Sequence, residues 1–333
     1  MKRVKYYLAR LRSLDTANMR RVAGEIAAKT GRTRLGVLLD MAWCSVRYGA
    51  GYLDYLEYEF YLLKPRERAT FMTSTHFDRI AARYNEREYR HLFADKAEFN
   101  VLFDRFLGRE WLDARVASPE EIGAFLVRHP VVMTKQPDSV HGHGVKRRTA
   151  DDAGDPAAFR DELVASGHIL VEEFITQHPE LAALAPRSVN TLRVITFFDG
   201  ERLHVLCAAL KLGNDADVDN FGSGGMYTIL SDDGIVEYPA FDIHDRVFST
   251  HPVTGLPIVG FRVPHYELLL RTLDEAARVV PQIRFVGWDV AILPEGVAIV
   301  EGNWNTGGFQ MKPSLSGVKT GLMPRFRAAI GEF

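Results

Sequence analysis

Asp289, Glu301 and Asn303 have the types and spacing to hold a metal ion. They lie in the stretch RFVGWDVAIL-PEG-VAIVEGNWNTGGFQ, residues 284–310. Two β-branched, apolar runs, Phe285 to Leu293 and Val297 to Asn303, flank Pro-Glu-Gly, which reads as a hairpin. A three-residue loop, 294–296, pairs Leu293 with Val297 and puts Glu301 opposite Asp289; Asn303, two residues on, shares the face of Glu301. Carboxylates opposed across a ladder are about 5 Å apart and repel, so a cation between them gives a sequence reason to keep both. Hard oxygen donors without His or Cys suit Mg²⁺, with Mn²⁺ as a substitute. Two solvated edge carboxylates are the competing reading. With no cation present, neutralising either acid is expected to stabilise the protein.

Cations elsewhere point to phosphate. Lys135 ends the strand-like run VVMTK, and the loop QPDSVHGHGV follows with Gly142 and Gly144. Such glycines let backbone N–H groups close around oxygens, while the lysine supplies a point charge. There is no GxxxxGK[ST] sequence, so this is not a P-loop. His141 and His143 lack the further ligands of a zinc site. Arg193 and Lys211 interrupt apolar strands, RSVNTLRVITFF and HVLCAALKLG, where a charge is expensive unless paired or facing a cleft. Buried structural ion pairs would explain them equally well. Lys96, in the first turn of an amphipathic helix over 94–107, opposes the helix dipole and suggests an anionic contact. After the strand HILVEEF, backbone groups near Glu172, Glu173 and Glu180 offer a place for a purine edge and ribose hydroxyls; charged residues at a strand end are the plain alternative. The loop NDADVDNFGSGG spaces Asp215, Asp217 and Asp219 like a calcium loop, but Asn220 and Met226 stand where glycine and glutamate belong. It reads instead as a mobile glycine loop over a cleft.

The elements that must carry these residues follow from periodicity. Helices are expected over 119–128, 156–166 and 264–280, strands over 131–135, 145–149 and 168–174, and a strand pair over 187–198 and 204–213. Residues 33–91 keep a helical pattern, including the aromatic run YLDYLEYEFYLL. At 333 residues, the chain has room for two or three lobes with a real core. Net charge is −2, which gives no overall commitment to nucleic acid. Residues 1–34 are the exception, with ten Lys and Arg against Asp15 and Glu25, a net of +8. Their first helical stripe, Val4, Tyr7, Leu8, Leu11 and Leu14, is ringed by basic residues. It either packs on its own domain or offers a peripheral contact to an anionic membrane or acidic partner. No membrane span or signal peptide is evident, and two distant cysteines, Cys44 and Cys207, fit a reducing cytoplasm.

The order DK (95–96), TKQPDSVHGHGV, ILVEEFI, SVNTLR, AALKLG, VDN-FGSGG, GWDVAI and VEGNWN resembles the ATP-grasp superfamily. It is most similar to the sugar-transfer-associated, glutamate-ligase-like branch. The likeness spans about residues 45–315. It implies an α+β fold in which two lobes clamp ATP, here preceded by a mainly helical N-terminal region (1–95). Residues 96–180 form the lobe with the glycine loop and adenine linker, and 181–333 the lobe with the magnesium site.

By the same resemblance Asp289, Glu301 and Asn303 are magnesium ligands, and Lys96 and Lys135 the nucleotide lysines. The loop 139–144, with Ser139, Gly142 and Gly144, is the phosphate lid. Glu172, Glu173 and Ile175 form the adenine linker, and Glu180 is the ribose acid. Arg193, Lys211 and Asn190 are the catalytic group, the first two holding the γ-phosphate or an acyl phosphate. The implied function is ATP- and Mg-dependent ligation of a small-molecule or peptide carboxylate to an amine, in biosynthesis of a polysaccharide, peptide or secondary metabolite. A phosphotransferase and a non-catalytic nucleotide-binding protein are the alternatives. The usual α/β lobe before the ATP site is replaced by the helical, basic front, so the substrate cannot be borrowed from the family. Oligomeric state is not legible in the sequence.

Overall fold

The computed structural model describes residues 15–137, 144–215 and 219–333. The expectations for Ser139, Gly142, His141, His143, Asp217 and the first fourteen residues fall outside them. The chain divides into two compact units, 1–79 with 310–325, and 80–309 with 326–333.

The first unit is helical. Helices α1 (Thr16–Thr30), α2 (Arg34–Tyr48) and α3 (Tyr52–Glu57) pack around Val22, Ile26, Val37, Met41, Tyr55, Phe60 and Phe71. The first two are capped by side chains, Asp15 accepting from Asn18 N and Thr33 from Gly36 N, and both end on a glycine with positive φ. Within this unit Arg68 donates to Asp40 through both Nη atoms, at 2.7 and 2.8 Å. Tyr55 OH adds a third bond to the same carboxylate at 2.7 Å. Residues 35–39, within the stretch expected to be helical, belong to α2.

The second unit holds two sheets. The smaller has the order β1 (Trp111–Asp113), β4 (Leu170–Glu173), β2 (Val131–Lys135), β3 (Val145–Thr149), all antiparallel. Helices α4 (Lys96–Phe103), α5 (Pro119–Arg128) and α6 (Pro156–Ser166) accompany it. α5 and α6 bury Ile122, Phe125, Phe159 and Leu163 with Val132 and Val171 of the strands. The larger sheet runs β11 (Gly296–Asn303), β10 (Phe285–Leu293), β5 (Thr191–Phe198), β6 (Leu203–Leu212), β7 (Met226–Ile229), β8 (Ala240–Asp242), β9 (Val247–Phe248). One face buries Leu192, Val194, Leu210, Trp288, Val290 and Ile299 with α7 (Tyr266–Ala277) and the phenylalanines 93, 99 and 103. The strands and helices expected from periodicity are present, some trimmed by a few residues, and the mixture of helix with antiparallel sheet is the α+β class.

The hairpin differs from the expectation in an instructive way. Its turn has two residues, Pro294 and Glu295, because Leu293 pairs with Gly296. That register would put Glu301 opposite Trp288, on the wrong face. A bulge between Asp289 and Val290 restores the phase, since Val290 pairs with Ile299 but Asp289 with Glu301, leaving Val300 as the extra residue. Gly302, between Glu301 and Asn303, is glycine for a steric reason: a Cβ there would meet Phe93 and Phe99 at 2.9 Å.

Candidate functional site

The opposite face of the larger sheet carries a largely buried row of charge across four strands. Arg193 on β5 pairs with Asp289 on β10, and Asp289 pairs in turn with Glu301 on β11. Lys211 on β6 lies two residues beyond Ala209, the partner of Arg193, and so shares its face. Arg193 Nε and Nη2 donate to Asp289 Oδ1 and Oδ2 at 2.7 Å each, a bidentate fork. Lys211 Nζ reaches Asp289 Oδ1 at 3.2 Å, and Arg193 Nη1 donates to Thr306 Oγ1 at 3.4 Å. Gly287, on the same face, gives Thr306 its room, because a Cβ there would lie 2.2 Å from Thr306 Oγ1.

Burial alone would push the Asp289 carboxyl up. Arg193 and Lys211 outweigh it and hold the group well below the usual carboxylate range. Arg193 and Lys211 are both raised against the opposing effect of burial. Asp289 is therefore compensated by the protein's own cations. This corrects the expectation that the opposed carboxylates need an external ion to avoid repulsion, and with it the expected gain in stability on neutralising Asp289.

Asp219 joins this cluster from the glycine loop. Its Oδ2 accepts from Thr191 N at 2.8 Å and Thr191 Oγ1 at 2.5 Å, and Lys211 Nζ stands 3.9 Å away. Burial raises its pKa, and nearby Asp289 raises it further, only partly offset by Lys211 and Thr191. In the sequence Asp219 belongs to the calcium-like spacing and to the VDN-FGSGG run, neither of which gives it a place in this row. Its signal was faint: an aspartate five residues ahead of Gly-Gly, whose partner lies across two strands. Asn190, expected among the catalytic residues, is fully buried and spent on the interior. Its Nδ2 donates to Gln177 Oε1 and Ala185 O at 2.9 and 2.8 Å, and its Oδ1 accepts from Gly213 N and Ser188 Oγ at 3.0 and 2.9 Å. It braces the start of β5 against the end of β6.

The oxygen donors fit a hard cation in kind. Asn303 Nδ2 donates to Glu301 Oε1 at 3.2 Å and to Gly287 O at 3.4 Å, so on these contacts the amide uses its nitrogen and not its oxygen. The Glu301 carboxyl is also within hydrogen-bonding reach of Asp289. Among the described residues no group of three His, Cys, Asp or Glu side chains is arranged to hold a metal ion.

The smaller sheet contributes a second buried network. Lys135 Nζ donates to Glu172 Oε2 at 2.6 Å, Arg109 Nε to the same oxygen at 2.7 Å, and Asn100 Nδ2 to Oε1 at 3.0 Å. Arg109 continues to the carbonyls of Leu107 and Ile299 at 3.0 Å and Val300 at 3.4 Å, so it ties β4 to the bulge of β11. Burial would raise Glu172; the two cations hold it well below the carboxylate range. Lys135 is pulled down by its own burial and by Arg109, only partly offset by Glu172. Neither Arg109 nor Asn100 was visible as a site residue in the sequence, because each meets Glu172 from more than sixty positions away.

The remaining expected residues are spread around this network. The Lys96 N–H donates to Pro137 O at 3.1 Å, which sets Lys96 beside the start of the glycine loop. Gln136 N donates to Gly144 O at 3.0 Å and closes the base of that loop, with Gly144 at φ +75°. Glu173 accepts from Glu110 N at 3.0 Å, Ile175 is half-buried, and Glu180 is exposed at the head of the helix Pro179–Leu184.

Residues 161–325, just under half of the chain, match the family model described as sugar-transfer associated ATP-grasp. That stretch of the chain is similar to the ATP-grasp superfamily. Among solved structures it is similar to the ATP-grasp ligase PsnB in complex with its minimal precursor, at 17% identity over 80% of this chain and 70% of that one, TM-score 0.43. It is also similar to D-alanyl-alanine synthetase A from Vibrio cholerae, at 12% identity over 72% and 61% of the two chains, TM-score 0.41. A third is the L-amino acid ligase from Bacillus licheniformis, at 10% identity over 66% and 42%, TM-score 0.39. No curated protein matches the chain.

Proposed function

We propose that this protein is an ATP-dependent carboxylate–amine ligase that works through an acyl phosphate. The observation that carries the reading is the row Lys211, Arg193, Asp289, Glu301 on one sheet face, two buried cations beside two acids, in a chain of ATP-grasp type. In this reading residues 96–180 form the nucleotide lobe and 181–333 the lobe where chemistry occurs. The adenine rests along the chain after β4, at Glu173 and Ile175, with Glu180 toward the ribose. Lys96, Lys135 and the 139–144 loop take the phosphates. Glu172 acts through Lys135 rather than on the base, its carboxylate being turned inward.

Asp289, Glu301 and Asn303 would hold Mg²⁺, which when bound supplies charge neutralisation on the phosphate oxygens. Arg193 and Lys211 orient the γ-phosphoryl group and the incoming carboxylate. A carboxylate oxygen attacks the γ-phosphorus, the bond to the bridging oxygen breaks, and ADP departs with that electron pair. An amine then attacks the acyl carbon, phosphate leaves, and the nitrogen gives up its proton. The guanidinium and ammonium act electrostatically, and no protein nucleophile is required. The substrates are a small-molecule or peptide carboxylate and an amine.

Incubation with ATP, Mg²⁺, hydroxylamine and a panel of amino-acid and peptide carboxylates tests this. A hydroxamate should form with equimolar ADP and free phosphate. A stable phosphorylated product without phosphate release would replace the ligase with a kinase.

A further inference from the structure

The outer face of α2 is apolar over its whole length. Leu35, Leu39, Trp43 and Val46 are 67, 63, 58 and 74% exposed, and Ala42 lies exposed among them. At 100° per residue these five positions fall within an arc of about 100°. The one acid of the helix, Asp40, is turned inward to Arg68 and Tyr55, so no carboxylate interrupts the stripe. Arg34 and Arg47, both exposed, flank it. The surrounding sequence is strongly basic: residues 1–34 carry a net of +8, while the other residues carry 31 Lys and Arg against 41 Asp and Glu.

The geometry points to an anionic lipid surface as the occupant of this face, with α2 lying in the plane of the interface. Leu, Trp and Val enter the acyl boundary while the flanking arginines meet the headgroups, the pattern of an interfacial helix. Two features favour lipid over a second copy of the chain. One helix face offers roughly a few hundred Å², against about 800 Å² per partner in a stable protein interface. A second copy would also oppose two segments of the same positive sign, whereas anionic headgroups complement them. The acidic remainder of the chain is repelled by such a surface and leaves the basic end to make the contact.

Sedimentation of the full chain with vesicles tests this. The protein should bind vesicles of phosphatidylcholine with phosphatidylglycerol, not phosphatidylcholine alone, and release at high salt. Leu39→Asp and Val46→Asp should each lower binding roughly tenfold or more. Both sites are exposed, so thermal unfolding should be unchanged and a loss of binding is not a loss of fold. Arg34→Glu and Arg47→Glu should weaken binding and flatten its salt dependence. Absence of binding by the wild type overturns the proposal, as does binding that Leu39→Asp and Val46→Asp leave intact. So does self-association by light scattering that the same two substitutions abolish, which would assign the face to a second copy.

Discussion

Lys135 and Glu172 stand on neighbouring strands, two residues out of register, with the ammonium 2.6 Å from the carboxylate. The acid is shared with Arg109, which is fixed by backbone carbonyls and does not depend on it alone. Lys135 is the weaker partner, since burial and Arg109 both disfavour its charge. On the proposed reading, a phosphate arriving at the glycine loop competes with Glu172 for this lysine.

Lys135→Ala should accordingly weaken ATP by about tenfold or more while changing adenosine little, because the lost contact is a charge-assisted bond to phosphate. Titration calorimetry with both ligands checks this. Equal weakening would take Lys135 off the phosphates.

Glu172→Gln should lower stability by about 3 kcal/mol or more near neutral pH, since it strands Arg109 and Lys135 in the interior. The folded carboxyl lies below its unfolded value, so its contribution is present above the ordinary carboxylate range and is lost as pH falls through the folded pKa. Melting temperatures of wild type and variant should converge in strong acid. A constant gap at every pH would show that Glu172 acts by packing rather than charge.

Asp289→Asn and Asp219→Asn should move stability in opposite directions. Asp289 is held ionised by Arg193 and Lys211, and neutralising it should destabilise the protein by roughly 3 kcal/mol. Burial and Asp289 raise the Asp219 pKa, and asparagine keeps an oxygen for Thr191, so the variant should melt higher than wild type at neutral pH. That advantage should close as pH falls through the folded Asp219 pKa toward its unfolded value, where wild type is protonated in both states. Paired thermal melts across pH decide it. Activity should fall in both variants.

Arg193→Ala should lower turnover by about 10²-fold or more while weakening ATP far less, because its charge matters most as the phosphoryl group moves. Parallel measurement of kcat and nucleotide affinity separates the two. A loss confined to affinity would make Arg193 a binding residue only.

The elements were readable because strands and helices announce themselves locally: VVMTK, VKRRT and GWDVAI carry their own periodicity. The cations in apolar strands were readable for the same reason, since Arg193 and Lys211 broke a pattern. Their partners were not. Asp289 is 96 positions from Arg193 and Arg109 is 190 from Ile299, separations that only the sheet order closes. The hairpin shows the limit most clearly. The pairing of Asp289 with Glu301 was foreseen from a three-residue loop, yet it arises from a two-residue turn and a bulge, and nothing in VAIVEGN marks Val300 as the extra residue.

That bulge separates the hairpin into two mechanically distinct parts. A ladder ordinarily transmits the length of its turn to every rung below, so one residue gained or lost at the tip flips all that follows. Here the phase is reset at Val300 and clamped there by Arg109, inboard of the tip and outboard of the acids. Pro294, whose carbonyl meets His265 Nε2 at 3.1 Å, and Glu295 lie beyond that clamp, so residues added between them, as a natural extension or an engineered epitope, should leave Asp289 and Glu301 on their rung.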